Sequence, residues 1–235
     1  MHITTQKLSS QRKSAFIGGI FLIIMAAAAF FSYGYAHQSL VVNGNAYDTF
    51  ANLKSSSTLF KAEIFSWLII LIADIIVAWA FFIFLKPIHK QLALLAAWLR
   101  LIYTAILAIA IAHLILVLLL TSNSAPLLNV EEQAMLFLNG FQVIWDMGLI
   151  IFGGHLMVVG YITMQSSTIP KMISFLLLLA GLSYIIMHTL LTFFLQFEKT
   201  IAIFQAILSI PMLLGEISFG IWLVVKGGKI IKNGY

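Results

Sequence analysis

Six long apolar stretches, separated by short polar segments, dominate the chain. An α-helix needs roughly 20 apolar residues to cross the hydrocarbon core of a bilayer, and each stretch is long enough. The pattern therefore predicts an all-α, polytopic membrane protein, a bundle of six transmembrane helices. The longest connection, residues 37–57, is polar and rich in turn residues, so we expect a loop there. We place the six spans at residues 14–36, 58–85, 91–120, 134–164, 170–195 and 200–225.

The composition indicates the same class and leaves no room for a second domain. Of the 235 residues, 62% are hydrophobic and only 9% are charged, whereas charged residues make up roughly 25% of a soluble domain. The six spans use most of the chain, so we expect one membrane domain over residues 1–235. The chain has no cysteine, which excludes disulfides, thiolate catalysis and cysteine-held metal clusters. No sequence signature of a cofactor is present, and we predict none.

The positive charges lie at the ends of the spans and are unevenly divided between the two sides. Nine cations fall on the side that carries both termini, and three fall on the other side. Cytoplasmic loops carry the excess of lysine and arginine, so both termini are predicted to be cytoplasmic, in a multi-pass protein of the cytoplasmic (inner) membrane. The net charge of +5 forms no basic run with interleaved aromatic residues, so nucleic-acid binding is not expected. The nine cations are Lys7, Arg12, Lys13, Lys86, Lys90, Lys171, Lys226, Lys229 and Lys232, and the three are Lys54, Lys61 and Lys199.

Ionisable and polar side chains interrupt the apolar stretches at two depths. Such groups are costly in hydrocarbon and usually face the interior of a bundle, where they pair or mark a functional site. With a rise of about 1.5 Å per residue, one set falls nearer the side with the termini. This predicted intramembrane polar cluster comprises Asp74, Arg100, Asp146, His155 and Glu216. A second, outer-layer polar group comprises Glu63, His113, His188 and Gln205.

The helical phase of these residues adds a second test. Gln205 and Glu216 are eleven residues apart, which places them within about 20° of each other on one face. Asp146 and His155 are nine residues apart and point in nearly opposite directions. Both side chains can reach one cavity only if the helix distorts, and Gly153–Gly154 is a candidate place for such a distortion.

The predicted cluster contains three carboxyls but only one guanidinium. Pairing of Arg100 with Glu216 or Asp74 leaves two carboxyls without a cation. The two remaining carboxyls can be protonated, can be balanced by protonated histidine, or can bind a cation or a cationic ligand. A purely structural ion pair between helices is the competing interpretation of Arg100.

Two imidazoles and a carboxylate in the outer layer are ligand types that suit zinc. However, Glu63, His113 and His188 show no HExxH or other local ligand spacing, so no metal site is predicted. His113 lies on an otherwise aliphatic helix, and we expect it to bond a neighbouring backbone or hydroxyl group.

Three segments carry a resemblance to a known family. They read FIFLKPIHKQLALLAAWLRLI from residue 82, FGGHLMVVGYITMQSSTIPK from residue 152 and LLGEISFGIWLVVKG from residue 213. The chain resembles the bacterial multi-pass membrane family named domain of unknown function 4386. The resemblance implies a six-span protein. Because the family has no established activity, it implies location and topology only.

Three functions remain open. The leading hypothesis is a transport-like or small-ligand-binding protein in which Asp74, Arg100 and Glu216 form a polar cavity for protons, a cation or a small solute, with His155 as a relay. The second is an intramembrane hydrolase or lipid-modifying enzyme, but no serine has a recognisable nucleophile motif, so we favour a non-enzymatic role. The third is a non-catalytic component that packs with or regulates a membrane partner. Apart from the lipid bilayer, a homo-oligomer or a membrane partner is possible.

Overall fold

The structure is a computed structural model that describes residues 2–122 and 128–228, without the side chains of residues 2–9, 195, 198 and 200. It is 90% helical, and the described residues contain no β-strand. Lys229 and Lys232, used above for the topology, lie outside the described residues, as does the side chain of Lys7. The orientation of the bundle stays a prediction.

Within the described residues, six helical segments are long and apolar enough to span a membrane. The first span starts in helix α1 and continues through a π-helical stretch and the short helix α2, and the other five are single helices. This confirms the predicted all-α fold with six transmembrane helices. The bounds are α1 His2–Ala29, the π-helical stretch Phe30–His37, α2 Gln38–Leu40, α4 Ser57–Leu85, α5 Lys90–Ser122, α6 Val130–Gln165, α7 Lys171–Phe193 and α8 Glu198–Val225.

The six spans form a ring in chain order. Each packs on the next, and α8 returns to pack on α1. At the end with the termini, the Arg12 guanidinium donates to the carbonyls of Leu223, Val224 and Gly227 at 2.7–3.2 Å, groups that lack partners within α8. Gly19 lies so close to α8 that a Cβ there would be 2.7 Å from a backbone oxygen. These contacts fasten α1 to α8 at this end.

Glycines also bring α6 and α7 close together. A Cβ added to Gly153 would lie 2.7 Å from the carbonyl oxygen of Gly181, and the reverse distance is the same. Such small residues are typical of close helix crossings in membranes. Helix α6 stays α-helical through Gly153–Gly154. Gly153 serves the packing of α6 on α7.

The connection between the first two spans is not a loop throughout. It contains helix α3, Ala46–Ser55, which packs on α4, α5 and α6. Gly44 has a φ of 75°, and the Asn45 side chain then caps the helix by accepting from the Asp48 backbone N–H at 3.0 Å. The pattern of long apolar stretches does not predict α3, because this helix is short and half of its residues are polar. The Asn45 cap and Asp48 are the local signal that predicts its start.

Candidate functional site

Arg100, on α5, is the centre of a closed polar cluster. It is fully buried together with Asp74 of α4 and His155 of α6. Its Nη2 lies 2.7 Å from Asp74 Oδ1, in an ion pair that lacks the direction of a good hydrogen bond. Its Nη1 lies 3.1 Å from His155 Nε2, while His155 Nδ1 donates to the carbonyl of Ala96 at 2.8 Å. The Nδ1 donation leaves Nε2 free to accept from Arg100, and the cluster joins three helices.

Apolar side chains seal this cluster. The rings of Phe81 and Phe152 lie 5.7 and 5.2 Å from the guanidinium carbon of Arg100, within the range of cation–π attraction. The sulfur of Met25 lies 3.7 Å from Arg100 Nη2. Phe152 and Met25 also line the neighbouring cavity described below. The charges of Arg100 and Asp74 are therefore held behind a wall of apolar groups.

Two more buried carboxyls each pair with an imidazole. Glu63 Oε1 lies 2.8 Å from His37 Nδ1, which links α4 to the π-helical stretch of the first span. Asp146 Oδ1 lies 2.8 Å from His188 Nδ1, which links α6 to α7, and the Gln142 amide donates to the other Asp146 oxygen at 3.1 Å. Both pairs join neighbouring helices, as structural contacts do.

Glu216, on α8, has a different environment. Its carboxylate accepts from the Tyr184 hydroxyl of α7 at 2.8 Å. Among the residues that the structure describes, no lysine, arginine or histidine forms an ion pair with it. Glu216 is partly buried and lines a cavity of about 560 Å³. This volume is within the range of small-molecule sites, roughly 300–1,000 Å³.

The cavity has an aromatic lining in which Glu216 supplies the carboxylate. Neighbouring rings pack on one another with centroids 4.9–5.2 Å apart. The indole nitrogens of Trp67 and Trp145 have no hydrogen-bond acceptor within the described part of the chain. The remaining lining is mostly aliphatic. The aromatic lining residues are Trp67, Tyr103, Trp145, Phe152 and Tyr184, with Phe30 toward the outside.

The cavity opens sideways, between α1 and α8. These helices are fastened at the end with the termini, but farther along both carry exposed residues that line the cavity. Phe30, which begins the π-helical stretch after α1, is 77% exposed, and Leu213 of α8 is 60% exposed. Exposed apolar side chains in the middle of a span contact acyl chains in a bilayer. The opening therefore faces hydrocarbon.

Comparison with known proteins gives the family. The model described as "Domain of unknown function (DUF4386)" matches residues 17–227, which include every residue of the cavity. The chain belongs to this family. An uncharacterized protein of the archaeon Archaeoglobus fulgidus is 29% identical over 162 residues, which are 69% of this chain and 82% of that protein. No solved structure matches the chain.

As a member of DUF4386 with six apolar helices, the chain is an integral membrane protein of unknown function. Of the predicted cluster, the structure brings together Asp74, Arg100 and His155. Asp146 turns to α7, on the side of α6 away from His155, as their helical phase predicts. The expected polar cavity of Asp74, Arg100 and Glu216 is not formed, because Asp74 meets Arg100 behind the aromatic wall and only Glu216 lines the cavity.

The predicted outer-layer group does not converge in this DUF4386 chain. Among the described residues, no three histidine, aspartate or glutamate side chains are placed to share a metal ion. The members instead lie apart: Glu63 pairs with His37, His188 pairs with Asp146, His113 Nδ1 donates to the Ile109 carbonyl at 3.0 Å, and Gln205 is exposed on α8. The chemistry of the site is therefore concentrated at Glu216.

The search for ionisable groups missed the aromatic residues of the site. Tyr184 and Trp67 carry no charge, and aromatic residues are common in any apolar span. Tyr184 precedes His188 by four residues, so both lie on one face of α7, and their rings stack at 5.7 Å. Helical phase could have found Tyr184, whereas the position of Trp67 depends on how the helices pack.

Proposed function

We propose that this protein binds a small, largely apolar molecule that enters from the bilayer, and that Glu216 and Tyr184 hold the polar group of that molecule. The observation that carries the proposal is a cavity of about 560 Å³ with a carboxylate in a mostly apolar wall. Small-molecule sites typically combine an apolar lining with a few polar groups that orient the ligand.

In this proposal, the Arg100 cluster supports the wall and does not touch the ligand. Phe152 and Met25 contact Arg100 on one side and line the cavity on the other. The buried charges of Arg100 and Asp74 compensate each other, so they hold α4 and α5 in a fixed position. A fixed wall lowers the entropic cost of binding.

The ligand enters through the opening between α1 and α8. Gln205 and Ser209 are exposed and share the face of α8 that carries Glu216, eleven and seven residues before it. This stripe offers hydrogen bonds to a polar group that moves along α8 while its apolar part stays among acyl chains. An amphiphile fits this path better than a fully polar solute does.

The tryptophans of the chain provide the test. Trp67 and Trp145 line the cavity, whereas Trp79 and Trp98 are exposed on the outer surface. A cavity reporter carries Trp79→Phe and Trp98→Phe, a surface reporter carries Trp67→Phe and Trp145→Phe, and both keep Trp222. The probe is 12-bromododecan-1-ol, whose bromine quenches tryptophan on contact. In liposomes, we expect saturable quenching at low mole fraction in the cavity reporter and a gradual, unsaturated decline in the surface reporter.

Two neighbouring alanines provide a matched control. Ala26 lines the cavity, whereas Ala27 is exposed and does not. In the cavity reporter, Ala26→Phe should abolish the saturable quenching and Ala27→Phe should preserve it. Quenching that never saturates, or that saturates equally in both variants, would overturn the proposed function.

A further inference from the structure

We infer that the ligand is a lipophilic cation, an apolar chain or ring system that carries a protonated amine, and that the Glu216 carboxylate binds this amine beside the aromatic wall. The inference rests on the proposed function and names the chemical class of its ligand. It requires that Glu216 lacks a counter-charge, that the wall suits a cation, and that the amine can reach the site.

Four carboxyls lie deep in the described spans, and their partners differ. Three of them lie 2.7–2.8 Å from a guanidinium or imidazole nitrogen. The fourth, Glu216, receives only the neutral hydroxyl of Tyr184. Within the described residues it is therefore the deep carboxyl without a cationic or imidazole partner. A charge held away from water needs a partner of opposite charge, and the cavity leaves room for one.

The aromatic lining of the cavity suits a cation. The faces of tryptophan, tyrosine and phenylalanine attract cations, and the attraction is strongest where water is excluded. Aromatic side chains from α4, α5, α6 and α7 line the same cavity as Glu216. A carboxylate together with several aromatic rings is the arrangement that recognises an ammonium group, whereas a fatty-acid carboxylate would meet the like charge of Glu216.

Arg100 is a positive charge behind this wall, but it does not neutralise Glu216. Its guanidinium is committed to Asp74 at 2.7 Å, and the two charges cancel. His155 takes the other terminal nitrogen at 3.1 Å. The Arg100 cluster therefore contributes no net charge to the cavity, and the carboxylate of Glu216 decides the charge of the ligand.

An amine can reach Glu216 from the bilayer. The opening faces hydrocarbon, which an amine crosses in its neutral form. A neutral amine can take the proton from a protonated Glu216, so that the N–H bond forms as the O–H bond breaks. An ammonium ion can equally meet an ionised Glu216. Both routes end in the same pair of ammonium and carboxylate.

A neutral alcohol is the competing occupant, because its oxygen could accept from the unpartnered indole N–H of Trp67. The test compares head groups on one chain. In the cavity reporter, bound 12-bromododecan-1-ol is displaced by dodecylamine, dodecan-1-ol or dodecanoate in phosphatidylcholine liposomes, at mole fractions measured in the membrane. We expect dodecylamine to displace the probe at a mole fraction about tenfold lower than dodecan-1-ol, and dodecanoate to be the weakest.

Glu216→Gln tests the residue, and Glu63→Gln is the matched carboxyl-to-amide control away from the cavity. The preference for the amine should fall to about onefold in Glu216→Gln, with saturable quenching by the bromo-alcohol retained as proof of folding, and it should persist in Glu63→Gln. Two results overturn this inference and leave the proposed function intact. One is equal displacement by amine and alcohol in the cavity reporter with Glu216 unchanged, and the other is a preference for the amine that persists in Glu216→Gln. Absence of saturable quenching in the cavity reporter with Glu216 unchanged overturns both this inference and the proposed function.

Discussion

Arg100 and Glu216 show two outcomes for an ionisable group placed in an apolar helix. Arg100 is fully buried and contacts Asp74 and His155 from two neighbouring helices. Glu216 meets only a phenol and lines an open cavity. The two groups lie at a similar depth by sequence. The surroundings, and not the charge or the depth, separate a structural group from a candidate binding group.

The difference follows from the positions of α5 and α8 in the ring. Helix α5 packs on both α4 and α6, so Arg100 meets groups on both sides. Helix α8 is fastened to α1 toward the end with the termini, by Arg12 and by the close approach at Gly19. Farther along, most α8 side chains from residue 202 to residue 214 are exposed. The cavity exists because α1 and α8 do not close over Glu216.

The largest expected effect is in the closed cluster. Arg100→Met leaves the buried Asp74 carboxyl without its counter-charge, so we expect the free energy of unfolding to fall by about 3–5 kcal/mol. The measurement is reversible unfolding in mixtures of dodecyl maltoside and sodium dodecyl sulfate. The double variant Asp74→Leu with Arg100→Met should recover much of the loss, because no buried charge remains. A single variant as stable as the unmutated chain would remove the distinction between the two regions.

The next largest effect is expected where α6 and α7 cross closely. Gly181→Ala places a Cβ 2.7 Å from the backbone oxygen of Gly153, so the helices must separate, at a cost of about 1–3 kcal/mol. Gly154→Ala is the matched control, because a Cβ there meets no atom within 4 Å. The same unfolding assay should show no loss for this control. Equal losses in both variants would mean that helix propensity, and not the close crossing, is being measured.

A smaller effect is expected at the open site. In Glu216→Gln the amide oxygen can still accept from Tyr184, so the free energy of unfolding should change by less than about 1 kcal/mol. The comparison variant is Asp74→Asn, which leaves Arg100 without a counter-charge and should lose clearly more in the same assay. If Glu216→Gln proves the more destabilising of the two, the carboxyl of Glu216 supports the fold and its assignment to binding fails.

The smallest effect is expected on the exposed part of α8. Gln205→Leu changes an exposed side chain, so the free energy of unfolding should stay within about 0.5 kcal/mol of that of the unmutated chain. His113→Gln is a useful companion, since its imidazole bonds only its own helix among the described residues. A loss above the stated range in Gln205→Leu would indicate that α8 packs against the ring more closely than its exposure shows.

The sequence predicted the fold well because a bilayer imposes simple rules. Spanning segments must be long and apolar, and their backbone groups must bond within the segment, so length and hydropathy suffice to find six helices. Helix α3 was not predicted because it is too short and too polar to span a bilayer. Its start depends on one capping side chain, that of Asn45.

The site was only partly predictable. Depth grouped Asp74, Arg100 and His155 correctly but added Glu216, which contacts Tyr184 instead. Helical phase separated Asp146 from His155. Neither property gives the order of helices in the ring, so the pairing of His37 with Glu63 and the aromatic wall near Glu216 could not be derived. The cavity depends on where α1 and α8 part, which is a property of packing between the first and last spans.

Reaction with dicyclohexylcarbodiimide tests the contrast between open and closed carboxyls most directly, on the unaltered chain. This lipid-soluble reagent adds to a protonated carboxyl and gives a stable N-acylurea, which peptide mass spectrometry locates. We expect modification of Glu216 in liposomes, with Asp74, Glu63 and Asp146 modified only after unfolding. Modification of Asp74 as fast as Glu216, or a Glu216 that stays unmodified, would contradict it.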